Sequence, residues 1–360
     1  MSKQLSRISA VLLMSCFSGA LMAHPGGQDA NGGHTQRSNG QYHCHHVDCV
    51  PSDSVTAPSM PLSVVSFNIQ FLGHFKRRDH EALAAFVAPH DVVVIQELVA
   101  PPLAGTFPNG KAYKVDPEAK AFFDAMQAQG FDYVLSREDT GSGDKIHVND
   151  SSTEWWIAFY KPERVDVAND LPSGFLAKDR SNHIDYERVP YAFAFRTLEG
   201  GNDFVLISVH LQPGDSKAER QRRQHELNAI ANWVNKNDRL EKDFFILGDM
   251  NFKHCAELMA ILPSGYRAFN RGEHCIPTNT HVTRQRPYSN VLYRDTGDYE
   301  IDTQARLEKL DLINAMRKPW QKDFGSAYPG EAPYQHNAFR TRYSDHHPVR
   351  FHIQIQNDDD

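Results

Sequence analysis

FFILGDMN, residues 244–251, opens as an apolar run suited to a buried strand over Phe244–Leu247 and closes on Asp249 and Asn251. A carboxylate at the exit of a buried strand is costly unless it is paired or binds a cation. Strand ends are also where side chains from different strands can converge on one pocket.

The same pattern recurs elsewhere in the chain. SFNIQ sets Asn68 near the end of a strand predicted over Leu62–Ile69, VVVIQ runs into Glu97, and FVLISVH closes on His210. In YSDHHPV, residues 343–349, Asp345 and His346 precede the last strand. Taken singly, such residues are more often helix caps or satisfied polar neighbours than catalytic groups. Seven of them at successive strand ends form a pattern that chance explains poorly.

Hydrophobic periodicity predicts further strands over Asp91–Ile95, Phe131–Leu135, Trp155–Tyr160, Tyr191–Thr197, Phe204–His210 and Val349–Ile355. Helices are predicted over Arg77–Val87, Glu118–Gln129 and Lys217–Asn235, the last with Leu227, Ile230, Ala231 and Val234 on one stripe. This alternation specifies a mixed α/β domain with about two sheets and outer helices, without an internal repeat.

The chain has 360 residues, with 38 Lys plus Arg against 45 Asp plus Glu. An acidic balance argues against holding nucleic acid by bulk charge. It is compatible with an enzyme that grips phosphate locally, through metal ions and a few arginines.

The first residues read differently. Lys3 and Arg7 precede an apolar run from Ile8 to Leu21, which together with the small residues up to Ala23 has the form of a secretory signal peptide. Residues 1–23 are therefore expected to be removed near Ala23, giving a secreted or periplasmic protein with no stable membrane insertion. The rival reading is a lipid anchor at Cys16. Residues 24–61 are expected to form a flexible segment rich in His and Gly, and 62–356 the main folded domain. The segment carries His24, His34, His43, His45 and His46 with Cys44 and Cys49, which suits either a transition-metal site or a Cys44–Cys49 disulfide. With Cys255 and Cys275 it makes four cysteines beyond the leader, and two local pairs are the simplest connectivity.

In chain order, SFNIQFLG, VVVIQE, TEWWIAFYKPERV, YERVPYAFAF, ISVHLQPGD, ILGDMNF and YSDHHPV resemble the motifs of the endonuclease/exonuclease/phosphatase superfamily, and especially deoxyribonucleases of the pancreatic type. The resemblance runs from Leu62 to Ile355. It implies an α/β fold, a two-sheet β-sandwich flanked by helices in four layers. It also implies metal-dependent cleavage of phosphodiester bonds, with DNA held mainly by its backbone and cut internally to leave 5′-phosphate ends. A monomer is expected.

On that resemblance the catalytic residues are His210, His346, Asp249 and Glu154, with Glu154 serving His210. Asn251, Arg188 and Asn290 would contact substrate, and Glu97, Asn68, Asp345 and Asp249 would hold metal. Hard oxygen ligands suit Mg²⁺, with Mn²⁺ or Ca²⁺ as alternatives. Cys255 and Cys275 match a disulfide of that nuclease type. His347 reads as a turn residue beside Pro348. Arg220–Arg223 and Arg340–Arg342 are candidate phosphate contacts, the first group also reading as the solvated face of a helix.

One departure stands out. PYSNV puts Ser289 where the family has the aspartate that partners the second histidine, so that role would pass to Asn290, Asp295 or Asp311, or be weakened. The same scaffold also serves sphingomyelinase-like hydrolases of phospholipids. A degenerate scaffold acting as a metal-binding or adhesion protein is the non-enzymatic alternative.

Overall fold

Leu62–Leu72 and Val92–Leu98 pair in parallel and are buried along nearly their whole lengths. Such near-continuous apolar runs belong to strands covered on both faces. The computed structural model describes residues 33–35, 42–44, 60–107, 110–141, 153–178, 183–295, 306–324 and 327–355. The expected leader with its Ala23 boundary, Cys16, Cys49 and the side chains of the His-rich segment lie outside the described residues. The chain divides into two units, Met1–Pro58 and Ser59–Asp360. In the first, Gly33–Thr35 and Tyr42–Cys44 pair antiparallel, with Gly33 opposite Cys44.

The second unit holds two sheets. One orders Glu308–Lys309, Val349–Ile353, Leu62–Leu72, Val92–Leu98, Trp155–Tyr160 and Asp132–Leu135. The other orders Gly174–Phe175, Tyr191–Thr197, Asp203–His210, Phe244–Asp249, Ser289–Arg294 and Tyr266–Ala268, with Val165–Val167 also pairing Tyr191–Thr197. Each sheet has a single parallel pair among these strands, Leu62–Leu72 with Val92–Leu98 and Asp203–His210 with Phe244–Asp249. The C-terminal ends of each such pair therefore emerge together.

Because side chains alternate along a strand, each sheet buries both faces. Val64, Val94, Phe195, Leu206 and Phe245 pack in the shared core of the two sheets. Val65, Phe67 and Ile95 pack instead with residues of the helices His80–Val87 and Pro117–Ala128. Lys217–Asn237 lays Leu227, Ile230 and Val234 against Val205, Ile207 and Ile246. The result is a β-sandwich with helices outside each sheet, as the sequence predicts. One polar chain crosses its interior: Gln96 accepts from Ser66 Oγ at 3.2 Å and donates to Ser208 Oγ at 3.1 Å.

Most predicted elements form, with boundaries set by local chemistry. The helix predicted from Arg77 begins at His80, because Asp79 caps it by accepting from the Ala82 amide and Arg77 takes a left-handed φ of 66°. A full capping box between Ser216 and Glu219 starts the long helix. Cys255 and Cys275 form the disulfide that the resemblance implies. Among the described residues no helix is long and apolar enough to cross a membrane.

Candidate metal centre and active site

Register places the first three side chains of the site. His210 lies opposite Asp249 across the parallel pair, and Asp249 lies opposite Ser289 across the next. Gly248 permits that close approach: its φ is 144°, and a Cβ there would meet the Val209 carbonyl oxygen at 2.0 Å. Glu97 comes from the facing sheet, at a break in the register of Val92–Leu98 against Trp155–Tyr160. Its φ of 64° is left-handed, as are those of Gln70, Phe71 and Asn251. Each such non-glycine residue costs about 1–3 kcal/mol and persists where the surroundings hold it. Here all four surround one cluster.

Asp249 is the hub. Its Oδ2 lies 3.7 Å from His210 Nε2, 3.4 Å from His346 Nε2, and accepts from Asn68 Nδ2 at 3.0 Å. Its Oδ1 accepts from the Asn251 amide at 2.9 Å. Burial opposes its charge, but His346, His210 and the hydrogen bonds prevail and hold its carboxyl below the ordinary range.

His210 Nδ1 donates to Glu154 Oε1 at 3.0 Å, and Arg188 Nε approaches the same oxygen at 3.0 Å. The other oxygen of Glu154 accepts from the Glu97 amide at 2.7 Å. Burial disfavours both charges here, yet His210 and Arg188 hold Glu154 low, while Glu154 and Asp249 raise His210 against burial and Arg188. Glu97 differs. Burial lifts its carboxyl above the usual range despite His210 and Asn68, and Asp345 adds repulsion. Glu97, His210 and Asp249 each offer a ligand atom within 4.8 Å of the others.

Several expected residues stand elsewhere than anticipated. Asn68 turns its amide nitrogen to Glu97 at 2.8 Å and to Asp249, while its oxygen accepts from the Gln70 amide. It bridges the carboxylates as a donor, with its oxygen toward the Gln70 amide. Asn290 is fully buried, its carboxamide tied to the Asn270 backbone in both directions, so it does not reach substrate. Arg188 is buried on Glu154 and near the His210 carbonyl, contacts that orient the Glu154–His210 pair. Asn251 donates its side-chain amide to the Leu211 carbonyl.

Neither proposed substitute acid reaches His346. Asp311 lies 4.0 Å from His347 Nδ1, and Asp295 pairs with Arg267. Ser289 itself faces His346, its Oγ 3.4 Å from Nδ1. His347 accepts from the Leu312 amide and is held neutral by burial, its pKa lowered to about 4, as suits a turn residue. Asp345 Oδ1 lies 3.9 Å from His346 Nε2 and is buried with no hydrogen-bond partner among the described residues.

The candidate phosphate arginines are largely committed to the fold. Arg223 is buried on Glu257 and on the carbonyls of Gln212 and Gly214. Arg220 pairs with Asp215, and Arg222 donates to the His183 and Ile184 carbonyls. Arg342 donates to the Arg77 carbonyl, and Arg340 stacks over Phe75.

Three further residues, none singled out by a motif, position the site. Arg78 is buried and donates to the carbonyls of Ile69, Gln70 and Tyr343, clasping the strand end after Asn68 to the turn before Asp345. Ser344 donates to the Asn68 carbonyl and accepts from the His346 amide. The Tyr288 ring lies 5.6 Å from that of His346. The charge run KRR, residues 76–78, was a signal for Arg78, but it reads equally as a solvated helix start.

No family model and no curated protein matches the sequence. Solved structures do match its fold. An endonuclease/exonuclease/phosphatase family protein from Bacteroides thetaiotaomicron aligns over 81% of this chain and 97% of its own, with a TM-score of 0.50 and 14% identity. A mannosyl-6-phosphatase of the same organism aligns over 81% and 99%, with a TM-score of 0.50 and 13% identity. The sandwich is thus the endonuclease/exonuclease/phosphatase fold.

Proposed function

We propose that the protein is an exported, metal-dependent phosphodiesterase that cuts DNA internally and leaves 5′-phosphate ends. The observation that carries this reading is the convergence of Glu97, His210, Asp249 and His346 from both sheets, with the Asp249 carboxylate between the Nε2 atoms of the two histidines.

The donor set fits a divalent cation. Asp345 Oδ1 is buried without a hydrogen-bond partner among the described residues, and burial disfavours charge on Glu97, so a cation held by the two would relieve both. Glu97 and Asp345, with Asp249 adjoining, would hold it; their hard oxygens suit Mg²⁺, and Mn²⁺ or Ca²⁺ would take the same set. When bound, such an ion neutralises charge on the phosphoryl oxygens.

The remaining work falls to the side chains. Asp249 orients the attacking water, and His210, steered by Glu154, accepts its proton. The water oxygen bonds to phosphorus as the P–O3′ bond breaks, and His346 returns a proton to the departing oxygen. Arg188 keeps Glu154 charged and in place, and Asn251 stands beside Asp249 where it can meet phosphate.

Purified protein lacking residues 1–23 should relax and then fragment plasmid DNA with Mg²⁺, and stop when the metal is chelated. Release of phosphocholine from sphingomyelin with plasmid left intact would favour the phospholipid reading instead. Inactivity of folded protein on DNA, RNA and phospholipid would point to the non-enzymatic one, which Ser289 motivates.

A further inference from the structure

We propose that a pocket beside the reaction centre is a subsite for a second phosphate of the substrate, selecting a nucleic acid strand over an isolated phosphoester. This deepens the phosphodiesterase reading and rests on it.

The pocket has a volume of about 300 Å³ and adjoins the centre through two residues that line it, Asp345 and Tyr288. Its walls carry Lys253, Arg284 and Arg286, with the rings of His281 and His336 4.4 Å apart. Asp345 is the one acid among the lining residues. In a chain of net charge −7 this is a local reversal of sign.

Some arginines elsewhere on the surface are paired with carboxylates, as Arg196 is with Asp203 and Arg267 with Asp295. Lys253, Arg284 and Arg286 have no carboxylate partner among the described residues. The turn bearing the two arginines is nonetheless built. Asn279, buried and bridged to His346 through the backbone, accepts from the Arg286 amide at 2.7 Å and donates to the Arg284 carbonyl at 2.8 Å. The Thr280 amide donates to the Asp345 carbonyl at 2.7 Å. This fixed turn therefore sets two guanidinium groups, with no carboxylate partner among the described residues, in the pocket that adjoins the reaction centre, where forked donors match phosphate oxygens. Such a wall repels a choline headgroup and attracts the next phosphate of a strand.

The test compares wild type, Arg284→Ala/Arg286→Ala and Arg284→Lys/Arg286→Lys. Binding of a short fluorescent DNA duplex is measured in chelator across a salt series. Turnover with Mg²⁺ is measured on the duplex and on bis(p-nitrophenyl) phosphate, which has a single phosphate. For the alanine pair, duplex affinity should fall about tenfold or more and the slope of log K against log salt should shrink by about 2, the lysine pair retaining most of the slope. The ratio of kcat/KM on duplex to that on the small diester should fall by about tenfold or more. An unchanged slope and ratio would overturn the proposal, as would an equal loss on both substrates. If wild type turns over neither substrate, the phosphodiesterase reading fails, and the binding series still decides whether the pocket takes phosphate.

Discussion

Ser289 Oγ stands 3.4 Å from His346 Nδ1, the position at which His210 has a carboxylate oxygen of Glu154 at 3.0 Å. The two histidines face one aspartate, but only one has an acid behind it. A hydroxyl orients a ring without stabilising its charged form as a carboxylate does. Ser289→Asp should move the basic limb of the pH–rate profile upward and raise turnover near neutrality by about tenfold. A profile that stays in place in a folded variant would show that Ser289 does not govern His346.

Glu154→Gln removes the charge that His210 and Arg188 share. Turnover should fall about 10²–10⁴-fold, and NMR should show His210 titrating lower than in wild type. The signs also predict a stability profile. A lowered Glu154 stabilises the fold above the ordinary carboxyl pKa and loses that effect as pH falls through its own. A raised His210 stabilises below the ordinary imidazole pKa and loses the effect as pH rises through its own. The pair is therefore fully stabilising between about pH 4.3 and 6.5, and denaturant melts of the variant should lack that plateau.

Glu97 is held above the usual carboxyl range by burial and by Asp345. Divalent metal should therefore raise the melting temperature, by the equivalent of about 2.7 kcal/mol at a hundredfold excess over Kd, and more at pH 7 than at pH 5. Glu97→Gln should abolish the metal-induced shift. A full shift in that variant would place the cation elsewhere.

A separate pH effect should come from His90, in a cavity lined also by Arg350 and His352. Burial, with repulsion from Arg350 and His352, lowers its pKa to about 4, and its Nδ1 lies 2.8 Å from Ser63 Oγ. The unfolded chain takes up this proton near the ordinary 6.5, so stability should decline as pH falls from there toward 4. His90→Gln should flatten that decline in urea titrations, and an unchanged slope would rule His90 out.

The central strands and long helix are legible in sequence because burial on both faces and a 3.6-residue stripe leave strong periodic signals. Ser289–Arg294 was not predicted as a strand, since SNVLYR is short and opens on polar residues that the fold buries. The strand-exit residues pointed to the site, and parallel register accounts for their meeting. Sequence could not show which way an amide faces. Asn68 proved to be a donor between carboxylates, and Asn290 a strut for Asn270. Nor could spacing reveal that Arg78 reaches three carbonyls, because one of them, that of Tyr343, lies 265 residues away in sequence.

The most direct test is the rate of DNA cleavage with Mg²⁺ by wild type, His210→Ala, His346→Ala and the double variant, each verified as folded. If the histidines act as one unit around Asp249, each single change should cost about 10³-fold or more, and the double little beyond the worse single. Cleavage within about tenfold of wild type in either single variant would contradict the account.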